Sequence, residues 1–313
     1  MKQISIRKVW IQFFLLLFLF QWLIGCESYD EQQAKLKDTP DRGTIYVSAD
    51  ESFKPIIDSE VQVYESQHPD AKIIVTYKPE AECLKDFAVD SVRMIIATRG
   101  FSKQEENFMV DSMKVAPEKM VVAFDAIAVI VNPKAPDSLF TMDDIRQILT
   151  GRYKKDLLPV FDNTKETSTI RFIIDSVLHG QPLTPKAVAA KSSPGVIDYI
   201  SKNANAIGFI GVSWVGDKDD TMQVSFLKKV KMAQLESMDI KGNYILPVQA
   251  NIYLRRYPMI RDVTYILKEN YRGGLGHGFA NFLSGEKGQL IFKRAYLVPA
   301  QQDFRIRPIR LNE

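Results

Sequence analysis

Two segments of this 313-residue chain place hydroxyl side chains where a helix ought to begin and so have the shape of anion sites. One is ADESFKP (49–55), which lies between a strand candidate and a helix candidate. Backbone N–H groups at a helix start have no intrahelical partners and carry the positive end of the dipole, so they suit an oxyanion. Ser52 adds a hydroxyl donor there, although an ordinary N-cap by Asp50 or Ser52 would have the same sequence. The other is DNTKETSTIRFIID (162–175), where Thr167, Ser168 and Thr169 precede a helix carrying Ile170, Ile174 and Val177. Arg171 falls in the first turn, near enough to return over that terminus. Hydroxyls, free N–H groups and a guanidinium together suit a tetrahedral anion. A capped helix with a surface arginine is equally compatible.

Two further positions carry charge where strands should be. Asp125 stands inside VVAFDAIAVIV (121–131), where every neighbour is apolar. A buried carboxylate is costly without partners, so Asp125 is either a site residue or the structural partner of a backbone group or a lysine. Thr98 and Arg99 close a strand candidate in ATR, and strand ends of α/β sheets face ligand clefts. Catalytic patterns do not emerge. His68, His179 and His277 lie at no metal-ligand spacing, and there is no GxSxG, P-loop or GxGxxG motif. The glycines of GGLGHG (273–278) read as a turn or loop.

The elements that must position these residues alternate between two periodicities. TIYVSA (44–49), AKIIVTYK (71–78) and SVRMIIATR (91–99) read as strands, and Ile57, Val61 and Tyr64 repeat at helical spacing. VVAFDAIAVIVNP (121–133) is a strand buried on both faces. Thr141 and Asp144 form a capping pair for a helix with Ile145, Ile148 and Leu149, stopped by Gly151. Ser193-Pro194 opens another helix, and AIGFIGV (206–212) is the next strand. Such alternation predicts an α/β fold with mainly parallel sheets.

The first residues have a different purpose. Lys2, Arg7 and Lys8 precede the apolar run VWIQFFLLLFLFQWLIG (9–25), which ends at Cys26. This order reads as a signal peptide over residues 1–25, and Leu23-Ile24-Gly25-Cys26 resembles a lipobox, with Cys26 lipidated and a polar tether over 26–42. Losing the three cations cancels the formal charge of +3. Near-neutrality leaves no basic face for nucleic acid. Once Cys26 is acylated, Cys83 has no disulfide partner and reads as a small buried residue.

Taken in order, five segments resemble one family. They are ADESFKP, RMIIATR (93–99), VVAFDAIAVIVNPKAP (121–136) with FTMDDIRQILTG (140–151), NANAIGFIGVSWV (203–215) and FANFLSGEKGQLIFKRAYLVP (279–299). Over about residues 43–300 the chain is similar to the phosphate-binding proteins of ABC importers. The resemblance implies a type II periplasmic-binding fold, α/β, with a ligand cleft between two lobes, one from 43–124 and 250–313 and the other from 125–249. It implies capture of inorganic phosphate for an ABC permease complex, with no catalysis, cofactor or metal. The implied protein is a monomeric lipoprotein in the envelope, facing the periplasm and held to the membrane by its lipid. Matched to the family's motifs, the phosphate ligands are Ser52, the Phe53 amide, Thr98, Arg99, Asp125, Thr167, Ser168 and Arg171. The same fold could instead take sulfate or molybdate, or serve as a phosphate sensor, and an envelope phosphatase is a third class. Asp50, Glu51, Glu80 and Glu82 stand where the family has hydroxyl or small residues, and carboxylates repel a dianion unless turned outward or protonated.

Overall fold

The computed structural model describes residues 38–114, 116–163, 167–217, 219–269 and 271–301. The signal segment and Cys26 lie outside the described residues. The folded body begins by residue 38: Asp38 pairs with Arg93, and the Tyr64 hydroxyl donates to the Pro40 carbonyl at 2.6 Å.

Among the described residues thirteen strands follow in order: β1 Arg42–Asp50, β2 Asp70–Lys78, β3 Val92–Ala97, β4 Glu118–Val131, β5 Leu139–Phe140, β6 Leu158–Phe161 and β7 Val188–Ala189, then β8 Ala206–Gly211, β9 Lys231–Met232, β10 Gln234–Glu236, β11 Tyr244–Ile245, β12 Ile260–Leu267 and β13 Val298–Pro299. Between them run α1 Lys54–Gln67, α2 Glu80–Asp86, α3 Lys103–Phe108, α4 Met142–Thr150, α5 Ser168–Phe172, α6 Ser193–Lys202, α7 Thr221–Leu227, α8 Gln249–Tyr253, α9 Leu275–Ser284 and α10 Glu286–Arg294.

The long apolar strand organises the whole sheet. Along β4, residues 118–126 pair with β12, while residues 127–131 pair with β8. The strand therefore joins a first half, ordered β2-β1-β3-β12-β4, to a second half, β4-β8-β6-β7. Its residues from Ala126 to Val131 are buried, because helices cover both faces. The expectation of mainly parallel sheets needs correction. The flanks are parallel, β1 with β2 and β3 in one half and β6 with β7 and β8 in the other. The centre is antiparallel, since β12 runs against β3 and β4, and β4 against β8. Both β4 and β12 follow long excursions of the chain, so nothing obliges them to enter in the flanking direction.

Local signals behave as their chemistry requires. Thr141 and Asp144 make the reciprocal capping box, and Gly151 ends α4 at φ 73°, in the left-handed region where a Cβ is strained. Asn132, just past β4, donates from Nδ2 to the Ile200 and Ser201 carbonyls at 2.9 and 2.8 Å, fixing the end of α6. The GGLGHG segment is a second correction: from Leu275 onward it is the first turn of α9, with Leu275, Gly276 and His277 buried. A Cβ at Gly276 would meet Glu269 Oε2 at 2.1 Å, so glycine serves close packing here.

Gly208, in the middle of β8, allows α6 to approach the sheet. A Cβ there would meet Ile130, Val196 and Ile200 side-chain carbons at 2.8 to 2.9 Å. Gly208→Ala is expected to destabilise the protein by about 1–3 kcal/mol through overpacking, read as a lower urea midpoint with an unchanged m-value.

Candidate functional site

Where the two halves meet, charged and hydroxyl side chains are buried together. At the centre is Arg261, on β12, lying opposite Asp125 on β4 in the sheet register. Its Nε donates to Asp125 Oδ2 at 2.8 Å, with the two side chains 1% and 0% exposed. Nη1 reaches Ser168 Oγ at 2.9 Å and Thr169 Oγ1 at 3.2 Å. The guanidinium thus ties the start of α5 to the sheet. Ser168 lies 3.4 Å from Ser52 across the seam, and Ser213 donates to the Ser52 carbonyl at 2.8 Å. Asp50 Oδ1 accepts from the Ser52 amide at 2.8 Å, so the turn after β1 is capped and also faces the cluster. Three buried polar atoms of this cluster have no hydrogen-bond partner: Asp50 Oδ2, Asp125 Oδ1 and Arg261 Nη2.

Toward the surface lies a second group. Glu80, at the start of α2 and buried, accepts from the Thr98 amide at 2.9 Å and the Thr98 hydroxyl at 2.5 Å. Its other oxygen accepts from Arg171 Nε at 2.6 Å, and Arg171 Nη2 donates to Thr98 Oγ1 at 2.6 Å. Arg171 thus reaches across to the other half of the molecule and does not fold back over the N-terminus of α5, contrary to the sequence expectation. Thr167 caps that terminus itself, accepting from the Ile170 amide at 3.3 Å. Arg99 is turned onto the capping box of α3, with both nitrogens on Glu105 at 3.0 and 3.3 Å. That contact lowers the Glu105 pKa to about 2. Arg99, Thr167, Arg171 and Glu80 line a cavity of about 280 Å³, together with Leu84 and Ile174.

Of the eight residues expected to bind the anion, Ser52 and Ser168 meet at the seam, while Thr98 and Arg171 meet around Glu80. Asp125 sits deeper, held by Arg261, and Phe53 is buried with its ring 5.3 Å from the Arg261 guanidinium. Sequence reasoning missed Arg261. The available signal was a charged residue inside the apolar stretch IRDVTYIL, read against Asp125 in VVAFDAIAVIV.

Carboxylates outnumber guanidiniums here, and their acidities respond. Burial raises the Asp50 pKa, with Arg261 opposing and Glu80 adding to the rise. Burial likewise raises Asp125, against the pull of Arg261. Desolvation opposes the charge on Arg261, yet Asp125 and Asp50 together hold it above its usual value. Glu51 faces the start of α6, 3.4 Å from the Ser193 amide and hydroxyl. Burial, then the nearby Asp162, pushes Glu51 up to about 7. Burial and Asp50 push Asp162 up to about 6.

The PBP superfamily domain model matches residues 36–287. Among solved structures, a protein of Clostridium perfringens described as a phosphate ABC transporter substrate-binding protein, with bound phosphate, is 18% identical with a TM-score of 0.67; the match covers 82% of this chain and 100% of that one. An ABC-type phosphate transport receptor of Vibrio cholerae is 17% identical with a TM-score of 0.61, at 82% and 100% coverage. PstS of Borrelia burgdorferi is 15% identical with a TM-score of 0.52, at 82% and 98% coverage. No curated protein sequence gives a significant match. The fold is the two-lobed α/β type II periplasmic-binding class.

Two predictions test this electrostatic arrangement. Asp125→Ala leaves the Arg261 charge buried and unpaired, an expected loss of about 3–5 kcal/mol; Asp125→Leu with Arg261→Met should lie closer to the parent in urea unfolding. The second concerns pH. Glu51 and Asp162 bind protons more tightly folded than unfolded, from ordinary values of 4.5 and 3.8. Their stabilising contribution is complete below about pH 4 and is lost as pH rises through about 6 and 7. Glu51→Gln should therefore gain stability over the parent between pH 4 and 8, measured as the difference in urea midpoints.

Proposed function

We propose, from the premise that this chain belongs to the PBP superfamily, that it captures inorganic phosphate between its two lobes and delivers it to an ABC importer. One observation carries this reading: hydroxyls and guanidiniums from both halves of the sheet converge on a buried seam with unpartnered donor and acceptor atoms. Phosphate near neutral pH has oxygens to accept from arginine and hydroxyl groups, and it keeps a proton to donate to a carboxylate. An ionised carboxylate only accepts, so an oxyanion without a proton would face it with two acceptors in a dry site. The fully deprotonated sulfate dianion is disfavoured on that ground. Burial raises the pKa of Asp50, and a protonated Asp50 would reduce the like-charge repulsion that an anion meets. Two neighbours of the same fold, from Clostridium perfringens and Vibrio cholerae, are named for phosphate transport, which agrees with the reading.

The proposed ligands are Ser52, the Phe53 amide, Thr98, Arg99, Asp125, Thr167, Ser168 and Arg171, with Arg261 added as the central cation. The lobes are proposed as residues 43–124 with 250–313, and 125–249. They would close by hinge motion where the chain crosses between them, within β4 and near residue 250. Binding without turnover fits a family of solute-binding proteins. A signal peptide over 1–25, lipidation of Cys26 and a monomeric body in the envelope complete the proposal.

Titration calorimetry of the full-length protein tests it. One phosphate should bind per chain, with sulfate much weaker. Arg171→Ala should weaken phosphate by about 2–5 kcal/mol, as truncating one partner of a buried charged pair does. A parent chain that takes up sulfate as well as phosphate would limit the reading to oxyanions in general.

A further inference from the structure

Glu80 occupies an unusual position for a protein that binds an anion. Its carboxylate receives three hydrogen bonds from Thr98 and Arg171. Those are residues a bound oxyanion would need. The carboxylate is planar and carries one negative charge, and the donors meet it as they would meet an external anion: an amide, a hydroxyl and a guanidinium, all within 2.9 Å. The contact also spans the seam, because Glu80 and Thr98 belong to the first half of the sheet and Arg171 to the second.

We propose that Glu80 is an internal anion that competes with the solute for Thr98 and Arg171, and so sets which anions the cleft accepts. The proposal rests on the anion-binding reading above. Each donor hydrogen satisfies one strong acceptor at a time, and two anions within a few ångströms of each other repel. An incoming anion must therefore displace the carboxylate. A monoanion such as acetate would exchange like for like and gain little, while still having to expel a tethered competitor. Dibasic phosphate carries twice the charge and more acceptor oxygens, so it can overcome the competition. Glu80 thereby discriminates by charge, a task that hydroxyls and amides alone perform poorly. The cavity of about 280 Å³ flanking Glu80 gives the displaced side chain somewhere to turn, past Ala81 and Leu84 and toward solvent.

The geometry has a second consequence. Because the Glu80–Arg171 contact bridges the halves, it holds the cleft together while it competes. Weakening it should therefore both release donors for external anions and loosen the seam.

Calorimetry on the full-length parent, Glu80→Gln and Glu80→Ser, with phosphate and with acetate as probes, decides the matter. Glu80→Gln keeps the shape without the charge, and Glu80→Ser leaves a carboxylate-sized gap, so one variant remains informative if the other misfolds. The expected result is phosphate binding at least about tenfold tighter in the variants. Acetate should bind Glu80→Ser, taking the place of the missing carboxylate, and should not bind the parent. If phosphate binds none of the three while acetate binds Glu80→Ser, the internal anion stands and the phosphate reading fails. If the parent binds phosphate while the folded variants neither gain affinity nor take acetate, Glu80 is a structural ion-pair partner and the proposal is overturned.

Discussion

Removing a full positive and a full negative charge from water costs several kcal/mol each, and the side chains of Asp125 and Arg261 are both buried. Such a pair is tolerated when its geometry is good and further hydrogen bonds compensate part of the desolvation. Here the sheet supplies the geometry, since the two residues face each other on adjacent antiparallel strands. The start of α5 supplies two of the remaining partners through Ser168 and Thr169. The pair therefore sets more than its own distance. It fixes the β4–β12 register, brings α5 to the seam, and through Ser168 meets the turn after β1.

A single buried guanidinium cannot neutralise the carboxylates around it. Asp50, Asp125 and Asp162 lie within its field, and Glu80 contributes from the outer group. Proteins relieve such an excess by protonating desolvated acids that have no ion pair of their own, which is the direction taken by Asp50, Glu51 and Asp162. A protonated carboxyl is also a donor, so the seam presents a mixed set of donors and acceptors. It is suited to a partner that is itself partly protonated, and the same excess makes its behaviour depend on pH in the range where these acids titrate.

The sequence made some of this architecture legible. The strands β1, β2, β3, β4 and β8 and the capping box of α4 were readable because each signal is local: an apolar run, an alternation, or a hydroxyl three residues before an acid. Asp125 stood out for the same reason, as one charge among apolar neighbours. Its partner did not, because Arg261 lies 136 residues away and its role exists only once β12 is laid beside β4. The direction of the central strands was hidden likewise, since alternating elements do not specify the sense in which a strand returns after a long excursion. GGLGHG was misread because glycine content signals a turn, whereas these glycines let a helix lie close to Glu269. Glu80 was visible as a departure from the family pattern. Its reach to Arg171 was not, because only the fold brings the two together.

The position of β4 also bears on how the chain is made. The central strand finds its ladder partners in β8, β9, β12 and β13, all of them synthesised after it. Neither half of the sheet can be completed from the N-terminal part of the chain. The loops to be closed are long, and their entropic cost falls due before the reward of pairing arrives, so folding is expected to be late and slow. For a nascent chain this delays collapse until most of the polypeptide has been released. A polypeptide with that habit stays extended for longer than one whose sheet is built from strands consecutive in the chain.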